Sequence, residues 1–522
     1  MFQKVYSGQI SGIDGRIVQI EADVSDGLPS FEMVGYLASD VREAQERVRT
    51  AFRNSGYFLP AKRVMVNFSP ADERKEGTSF DMAVAVAVLG AYGTEVTEVS
   101  GISEISEKWA FFGELGLDGM FRRIRGVLSL VTAAREAGIQ RCFLPRENRI
   151  EGSMAEGVEI VGVSSLRELV DILCGRLEAE ILTFSSEQFF GEGVNKKKKS
   201  VDFSEIQGGA VLRRASEIAA AGRHNILFIG SPGTGKTMAA RRMATILPAF
   251  TPKESIEVSK VYSVCGLLSE HMPLVTERPF RSPHHTMTPQ ALAGGGAVPK
   301  PGEVSLASGG VLFLDELAEF KKSTLEILRQ PLEERKITVA RLQGAYDFPA
   351  DTMLVAATNP CPCGYYPNKN ECMCSQKQVQ KYLGRISKAL LERIDMTVET
   401  APIQYEDFLS EEPQESSAEI RARVEAARRI QKERFFESDI LFNSAMKSGD
   451  VRKYCILGKS EQAFLHTVFQ KRKFSARSYE KIVKIARTIA DLDGEGRILE
   501  KHLREAVFYR MAADRYWGGS MG

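Results

Sequence analysis

The sequence predicts an α/β fold in the middle of the chain, an α+β segment before it and an all-helical segment after it. Three observations carry this. NILFIG, GVLFLDE and TMLVAATNP are continuous apolar runs, the pattern of parallel strands covered on both faces. A Gly-rich run, GSPGTGKT at 230–237, joins the first of them to a helical pattern. From about residue 403 helical periodicity takes over. With 522 residues the chain is too long for one core, at about 150 residues per domain. The expected divisions are 1–182, a linker at 183–203, an α/β core at 204–402 and a helical lid at 403–522.

In the first segment, RIVQIEADV and RVMVNFSP read as strands. Helices are expected near Ser39–Ser55 and Phe80–Leu89. Glu187–Ser204 is polar, holds Gly191, Gly193 and the run Lys196–Lys199, and lacks apolar periodicity. It reads as an exposed linker; the lysines could touch DNA, but a charge run usually keeps a segment solvated. In the last segment Ser416 and Ser417 can cap a helix through AEIRARVEAARRIQKERF, and SYEKIVKIARTIADL is a second amphipathic helix.

Composition sets the outer bounds. The chain is 43% hydrophobic and 26% charged, as soluble globular proteins are. Its net charge of +1 offers no global field for a polyanion, so any nucleic-acid surface is a local patch or is shared between subunits. The N-terminus lacks an apolar h-region and no run approaches a membrane span, so a cytoplasmic protein without membrane contact is expected. Eight cysteines in a chain this long are not a disulfide scaffold.

The strand–loop–helix context makes the run at 230–237 a phosphate-binding loop. Gly230, Gly233 and Gly235 let backbone N–H groups turn inward, with Ser231, Pro232 and Thr234 between them. The helix beginning near Lys236 adds its positive end. Lys236 is placed for the β- and γ-phosphates of ATP, and Thr237 for Mg²⁺. Asp315 follows four apolar strand residues and so lies at the carboxyl edge of the sheet, where it can hold the Mg²⁺ shell. Glu316 beside it can orient or deprotonate the attacking water. Alone, the acidic pair would read as a cap on the next helix. Asn359, ending the third apolar run, can sense the γ-phosphate or the water.

NPCPCGYYPNKNECMC pairs Cys361 with Cys363 and Cys372 with Cys374. Four soft ligands in so short a span suit structural Zn²⁺ and leave no open catalytic position. Disulfides and buried thiols remain the alternatives. Cys142, Cys174, Cys265 and Cys455 sit in apolar contexts and are expected in the core. ERKITVARLQGAYDF reads as a β-hairpin whose turn is RLQG.

The order of these elements resembles the AAA+ superfamily in its magnesium-chelatase and MCM branch. PFRSPHHT at 279–286, GGG at 294–296, PKPGEVSLASGGVLFLDEL and ATNPCPCGYY are similar to signatures of the YifB/ComM family of magnesium-chelatase-like ATPases, and the resemblance runs nearly end to end. It implies a homo-oligomeric ring, a hexamer, with ATP sites at subunit interfaces. It makes Arg393, in LLERID, an arginine finger acting on the neighbour's γ-phosphate, and Arg477 a second sensor in the lid. For each, a surface salt bridge is the plain alternative. Gln207 and Gly208 fall where the family packs adenine. The hairpin falls where this branch grips DNA, which nominates Lys336 and Arg341 for phosphate contacts, while His284 and His285 lie in an insertion that also faces a pore. The bland alternatives are a hairpin that completes the sheet and histidines that pack locally.

The same resemblance gives residues 1–182 a Lon-protease-like fold. KEGTSFDMAVAVAVL puts Ser79 near the nucleophile of such proteases, but Leu128 stands where the lysine base belongs, and Phe80–Asp81 replaces a small pair, so no catalytic dyad is expected. The implied activity is Mg-dependent ATP hydrolysis driving a DNA helicase or branch-migration motor on single-stranded or branched DNA. A magnesium-chelatase-type or protein-remodelling ATPase is the alternative.

Overall fold

The computed structural model describes residues 2–93, 96, 102, 105–185, 201–296, 298–341, 344–368, 370–402, 414–472 and 474–517. The Lys196–Lys199 run and the centre of the hairpin turn, Leu342 and Gln343, lie outside them.

The chain forms two compact units, Met1–Lys196 with Thr251–Thr276, and Lys197–Phe250 with Glu277–Gly522. The helix Pro252–Cys265 therefore belongs with the first unit, although its sequence lies inside the stretch expected to form the α/β core. Its Ser263 supplies the reason: the backbone carbonyl accepts from Gly126 N at 3.1 Å, and the hydroxyl donates to the buried Glu151 at 2.5 Å.

The first unit is built on a mixed eight-stranded sheet. Phe2–Ser11 and Asp14–Ser25 pair antiparallel through a hairpin, and Arg63–Ser69 continues on the same side. Trp109–Phe111, Arg141–Pro145 and Glu159–Val163 extend it in parallel on the other. The helix Asp81–Tyr92 is buried along its whole length, as its DMAVAVAVLGAY sequence requires: an all-apolar helix belongs inside. Its one charge, Asp81, is met by Arg47 at 2.8 Å and Leu115 N at 3.1 Å. Cys142 is buried here, but Cys174 and Cys265 are only half-buried, because both sit at helix ends.

The second unit carries five parallel strands in the order Phe280–Arg281, Val311–Leu314, Met353–Thr358, Ile226–Gly230, Met396–Thr400. Val311–Leu314, Met353–Thr358 and Ile226–Gly230 are wholly buried, which explains their apolar sequences; Met396–Thr400 is mostly buried too, but carries Thr397, Glu399 and Thr400. The first strand in sequence lies between the last two, so the chain leaving Gly230 crosses the sheet and opens a crevice at its carboxyl edge.

The helical segment does not stand apart from this sheet. Ser417–Arg434 is closed by a capping box: Ser416 Oγ accepts from Glu419 N at 3.3 Å, and Glu419 accepts from Ser416 N at 2.7 Å. Ile420, Val424 and Ala427 on it, with Ile482, Ile485 and Ile489 on the helix Ala476–Leu492, share one apolar cluster with Phe228 and Val355 of the sheet. The end of the expected linker is likewise structured. Phe203 is fully buried, and Asp202 accepts from Ser417 N at 3.1 Å, so an aromatic anchor ends the linker before residue 203.

Candidate nucleotide site

The loop after Ile226–Gly230 is held by its own hydroxyl and carbonyl groups. Thr234 Oγ1 donates to Ser231 O at 2.9 Å and meets Thr400 Oγ1 at 2.7 Å. Gly233 and Gly235 both have φ of +79°, which explains glycine at each. Gly230 is required by closeness instead: a Cβ there would come within 2.5 Å of the Thr400 carbonyl.

Lys236 opens the helix Lys236–Arg242 and is 8% exposed. Its ammonium turns back into the loop, donating to Gly230 O and Ser231 O at 2.7 Å each and to Asn359 Oδ1 at 3.3 Å. Burial pushes its pKa down to about 8, with Asp315 pulling the other way. A cation already desolvated and aimed into a ring of backbone is ready for phosphate oxygens.

Thr237 Oγ1 donates to Asp315 Oδ2 at 2.8 Å. Thr237 leaves the loop and Asp315 leaves the strand Val311–Leu314, and they meet where a metal of the hard-oxygen class would sit. The other Asp315 oxygen accepts from Glu316 N at 2.9 Å. These residues fit Mg·ATP: Thr237 and Asp315 would hold the ion, which when bound neutralises phosphate charge, and Lys236 would pair with the phosphates. Gln207 Oε1 is buried without a hydrogen-bond partner among the described residues, which suits a base amino group in the stretch nominated for adenine. Gly208 there has φ of +61° and accepts from Arg213 at 3.1 Å.

Glu316 adopts a left-handed backbone, φ +51°, which costs a non-glycine residue. Its side chain makes no capping bond to the turn that follows. Its carboxylate instead lies 3.4 Å from His285 Nδ1. His285 lies against His284 with the rings tilted by 34° and centroids 4.1 Å apart, and meets Phe320 edge-on. His284 in turn bonds Thr286 Oγ1 at 3.0 Å. The sequence leaves this histidine pair either facing a pore or packing locally; the fold puts His285 beside Glu316.

Arg393 and Arg477 form a second cluster. Arg393 is 10% exposed, pairs with Glu333 at 2.8 Å and donates to Arg329 O and Ala389 O. Arg477 approaches Glu333 at 3.7 Å and Glu392 at 3.5 Å. The arginine-finger candidate and the second-sensor candidate thus converge on one carboxylate, Glu333.

The four cysteines come together. Their sulfurs all lie within 4.8 Å of one another, with Cys361–Cys363 at 3.3 Å, Cys363–Cys372 at 3.6 Å and Cys361–Cys372 at 3.8 Å. These spacings are too long for disulfides. They approach the ~3.8 Å edge of a tetrahedron with Zn–S bonds of ~2.3 Å.

The hairpin forms from Lys336–Arg341 and Gly344–Pro349. It pairs with itself as a separate two-stranded sheet, so it does not complete the central one. Lys336 pairs across it with Asp347 at 3.0 Å. Arg341, at the tip, donates to Gly296 O at 3.2 Å, joining the hairpin to the GGG insertion.

In the first unit, Ser79 Oγ donates to Gly8 O at 2.7 Å, and Leu128 is fully buried. Lys75 is buried too, but its ammonium is spent on the carbonyls of Pro70 and Glu73.

Comparison with known proteins agrees with this architecture. Residues 202–408 match the family described as magnesium chelatase, subunit ChlI; residues 20–148 match subunit ChlI of Mg-chelatase, and residues 414–510 match its C-terminal part. The competence protein ComM of Haemophilus influenzae is 39% identical over 513 residues, 97% of each chain. A protein named YifB from Escherichia coli is 37% identical over 513 residues, 98% of this chain and 97% of its own. A Lon protease of Finegoldia magna is 25% identical over 171 residues, 30% of this chain and 21% of the protease. No helix among the described residues is long and apolar enough to cross a membrane. With the phosphate loop, Asp315 and Glu316 assembled at one sheet edge, the chain belongs to the YifB/ComM family of magnesium-chelatase-like ATPases, an AAA+ core with a helical lid behind a Lon-protease-like N-terminal segment.

Proposed function

We propose that this chain is a cytoplasmic ring motor, a homo-hexamer that hydrolyses Mg·ATP to move single-stranded or branched DNA as a helicase or branch-migration factor in recombination or natural transformation. The observation that carries the ATPase is the Thr237–Asp315 bond beside a buried Lys236. Glu316 deprotonates or orients the water, Asn359 reads the γ-phosphate, and Arg393 and Arg477 act at the neighbour's site and in the lid. DNA as the track is supported by two features. The hairpin bearing Lys336 and Arg341 stands outside the central sheet and meets the glycine insertion after His284 and His285. The relative from Haemophilus is named a competence protein. The cysteine cluster holds Zn²⁺ as a closed structural site, on the sulfur spacings above.

The matches described as magnesium chelatase favour one second reading, a chelatase-type motor. The deciding experiment measures ATP hydrolysis with single-stranded, duplex and branched DNA, beside Glu316→Gln. Stimulation by DNA that this variant abolishes supports the DNA motor. Hydrolysis indifferent to every DNA, but raised by a porphyrin or an unfolded protein, rejects it. Metal analysis returning well under one zinc per chain rejects the zinc site.

A further inference from the structure

The cysteine loop leans directly on the phosphate loop. Gly364, between the two cysteine pairs, has φ of +89°, and a Cβ built on it would lie 2.6 Å from Pro232 Cδ and 3.0 Å from Pro232 Cγ. Pro232 is the third residue of the phosphate loop, and its ring is rigid. Only a glycine lets the two loops come this close.

Both ends of the cysteine loop are anchored in the catalytic machinery. On its N-terminal side, Asn359 accepts from Lys236 and stands two residues before Cys361, which is fully buried and accepts from Tyr366 N at 3.4 Å. On its C-terminal side, Cys374 is followed by Ser375, which caps the helix Gln376–Leu383. Just beyond that helix, Arg385 donates to Ala318 O at 3.1 Å and pairs with Glu319 at 2.6 Å, in the turn that follows Glu316. Tyr366 also packs edge-on against Tyr516 of the last helix.

The geometry points to a thermodynamic coupling between the metal in the cysteine cluster and the nucleotide. With the four sulfurs tied to one Zn²⁺, the segment from Asn359 to Ser375 is a closed clip. It fixes Gly364 against Pro232 and sets Asn359 at Lys236. Without the metal the cluster keeps only weak thiol contacts, and the clip loses its closure. The loop that wraps phosphate then has a softer wall. Because coupling between two ligands is reciprocal, nucleotide at the phosphate loop must tighten zinc by the factor by which zinc tightens nucleotide. The zinc centre is thus a control point on the ATP site, by metal supply. This rests on the zinc and ATP readings above.

The test uses the full chain as purified. A chromophoric chelator competes for the zinc, with and without a non-hydrolysable ATP analogue, in excess Mg²⁺ so that nucleotide phosphates do not carry zinc. The expected result is zinc held about five- to tenfold more tightly with the analogue, the lower range of ordinary two-site coupling. Gly364→Ala, which leaves all four ligands in place, is expected to keep one zinc per chain and to lose that difference. Zinc held with the same affinity in both conditions overturns the coupling while leaving a structural zinc site. A chain that neither carries zinc nor takes it up overturns the zinc reading, and this one with it.

Discussion

The fold changes the chemistry of Lys236. Its ammonium is desolvated among the carbonyls of Gly230 and Ser231, and its pKa falls from the ordinary lysine value to about 8. Phosphate binding needs the proton, so nucleotide affinity is expected to fall as pH rises through about 8; titration with a fluorescent ATP analogue from pH 7 to pH 9.5 checks this. The stability effect has the opposite sign. Between that pH and the ordinary lysine value of ~10.4 the unfolded chain holds more protons, so this residue's share of stability grows with pH across that window. Glu316 supplies a second prediction. Its strained backbone and its contact with His285 fix where the carboxylate points. Glu316→Gln is expected to lower kcat by ~100-fold or more while nucleotide binding survives. His285→Ala removes a positioning contact. It is expected to lower kcat by less, up to about 100-fold, with KM for ATP nearly unchanged.

At the scale of elements, a charge pair ties the arginine-bearing turn to the lid. Asp395 follows Arg393 by two residues and meets Lys481 of the helix Ala476–Leu492 at 2.7 Å, with both side chains nearly buried. Asp395 Oδ2 also accepts from Asn225 N at 2.9 Å, at the start of the phosphate-loop strand, and Arg510 donates to Ile394 O at 2.8 Å. Removing one partner leaves an unpaired buried charge, so Lys481→Ala is expected to destabilise the second unit by about 3–5 kcal/mol in chemical denaturation. The hairpin is a different case. Its charged side chains are exposed, so Lys336→Ala with Arg341→Ala is expected to leave thermal stability within about 0.5 kcal/mol. On the DNA reading, the same pair lowers DNA-stimulated ATPase and flattens its salt dependence by up to about two charges' worth. Unchanged stimulation and salt slope would remove the hairpin from the track.

At the scale of the whole molecule, the site within one chain is half of what the proposed ring needs. Arg393 is engaged by Glu333, so reaching a neighbour's phosphate requires giving up that pair. Specific activity is therefore expected to fall on dilution, and mixing Arg393→Ala with Lys236→Ala chains is expected to restore part of the activity that each lacks alone. Activity that tracks chain number at all concentrations, with no rescue on mixing, would contradict the shared site.

The sequence by itself determined three of the five parallel strands, the phosphate loop, the Asp315–Glu316 pair and the gathering of four cysteines. These are local facts: a buried strand must be apolar throughout, a phosphate loop must have glycine where φ is positive, and metal ligands close in sequence can fold together within one loop. Only the tertiary structure decided that His285 faces Glu316, that Gly364 rests on Pro232, that Arg393 and Arg477 share Glu333, and that Thr251–Thr276 joins the first unit. Each of these depends on how distant elements are brought together across a sheet or within a unit. A histidine, a glycine or an arginine carries no mark in the sequence of the partner that a crossover will deliver to it.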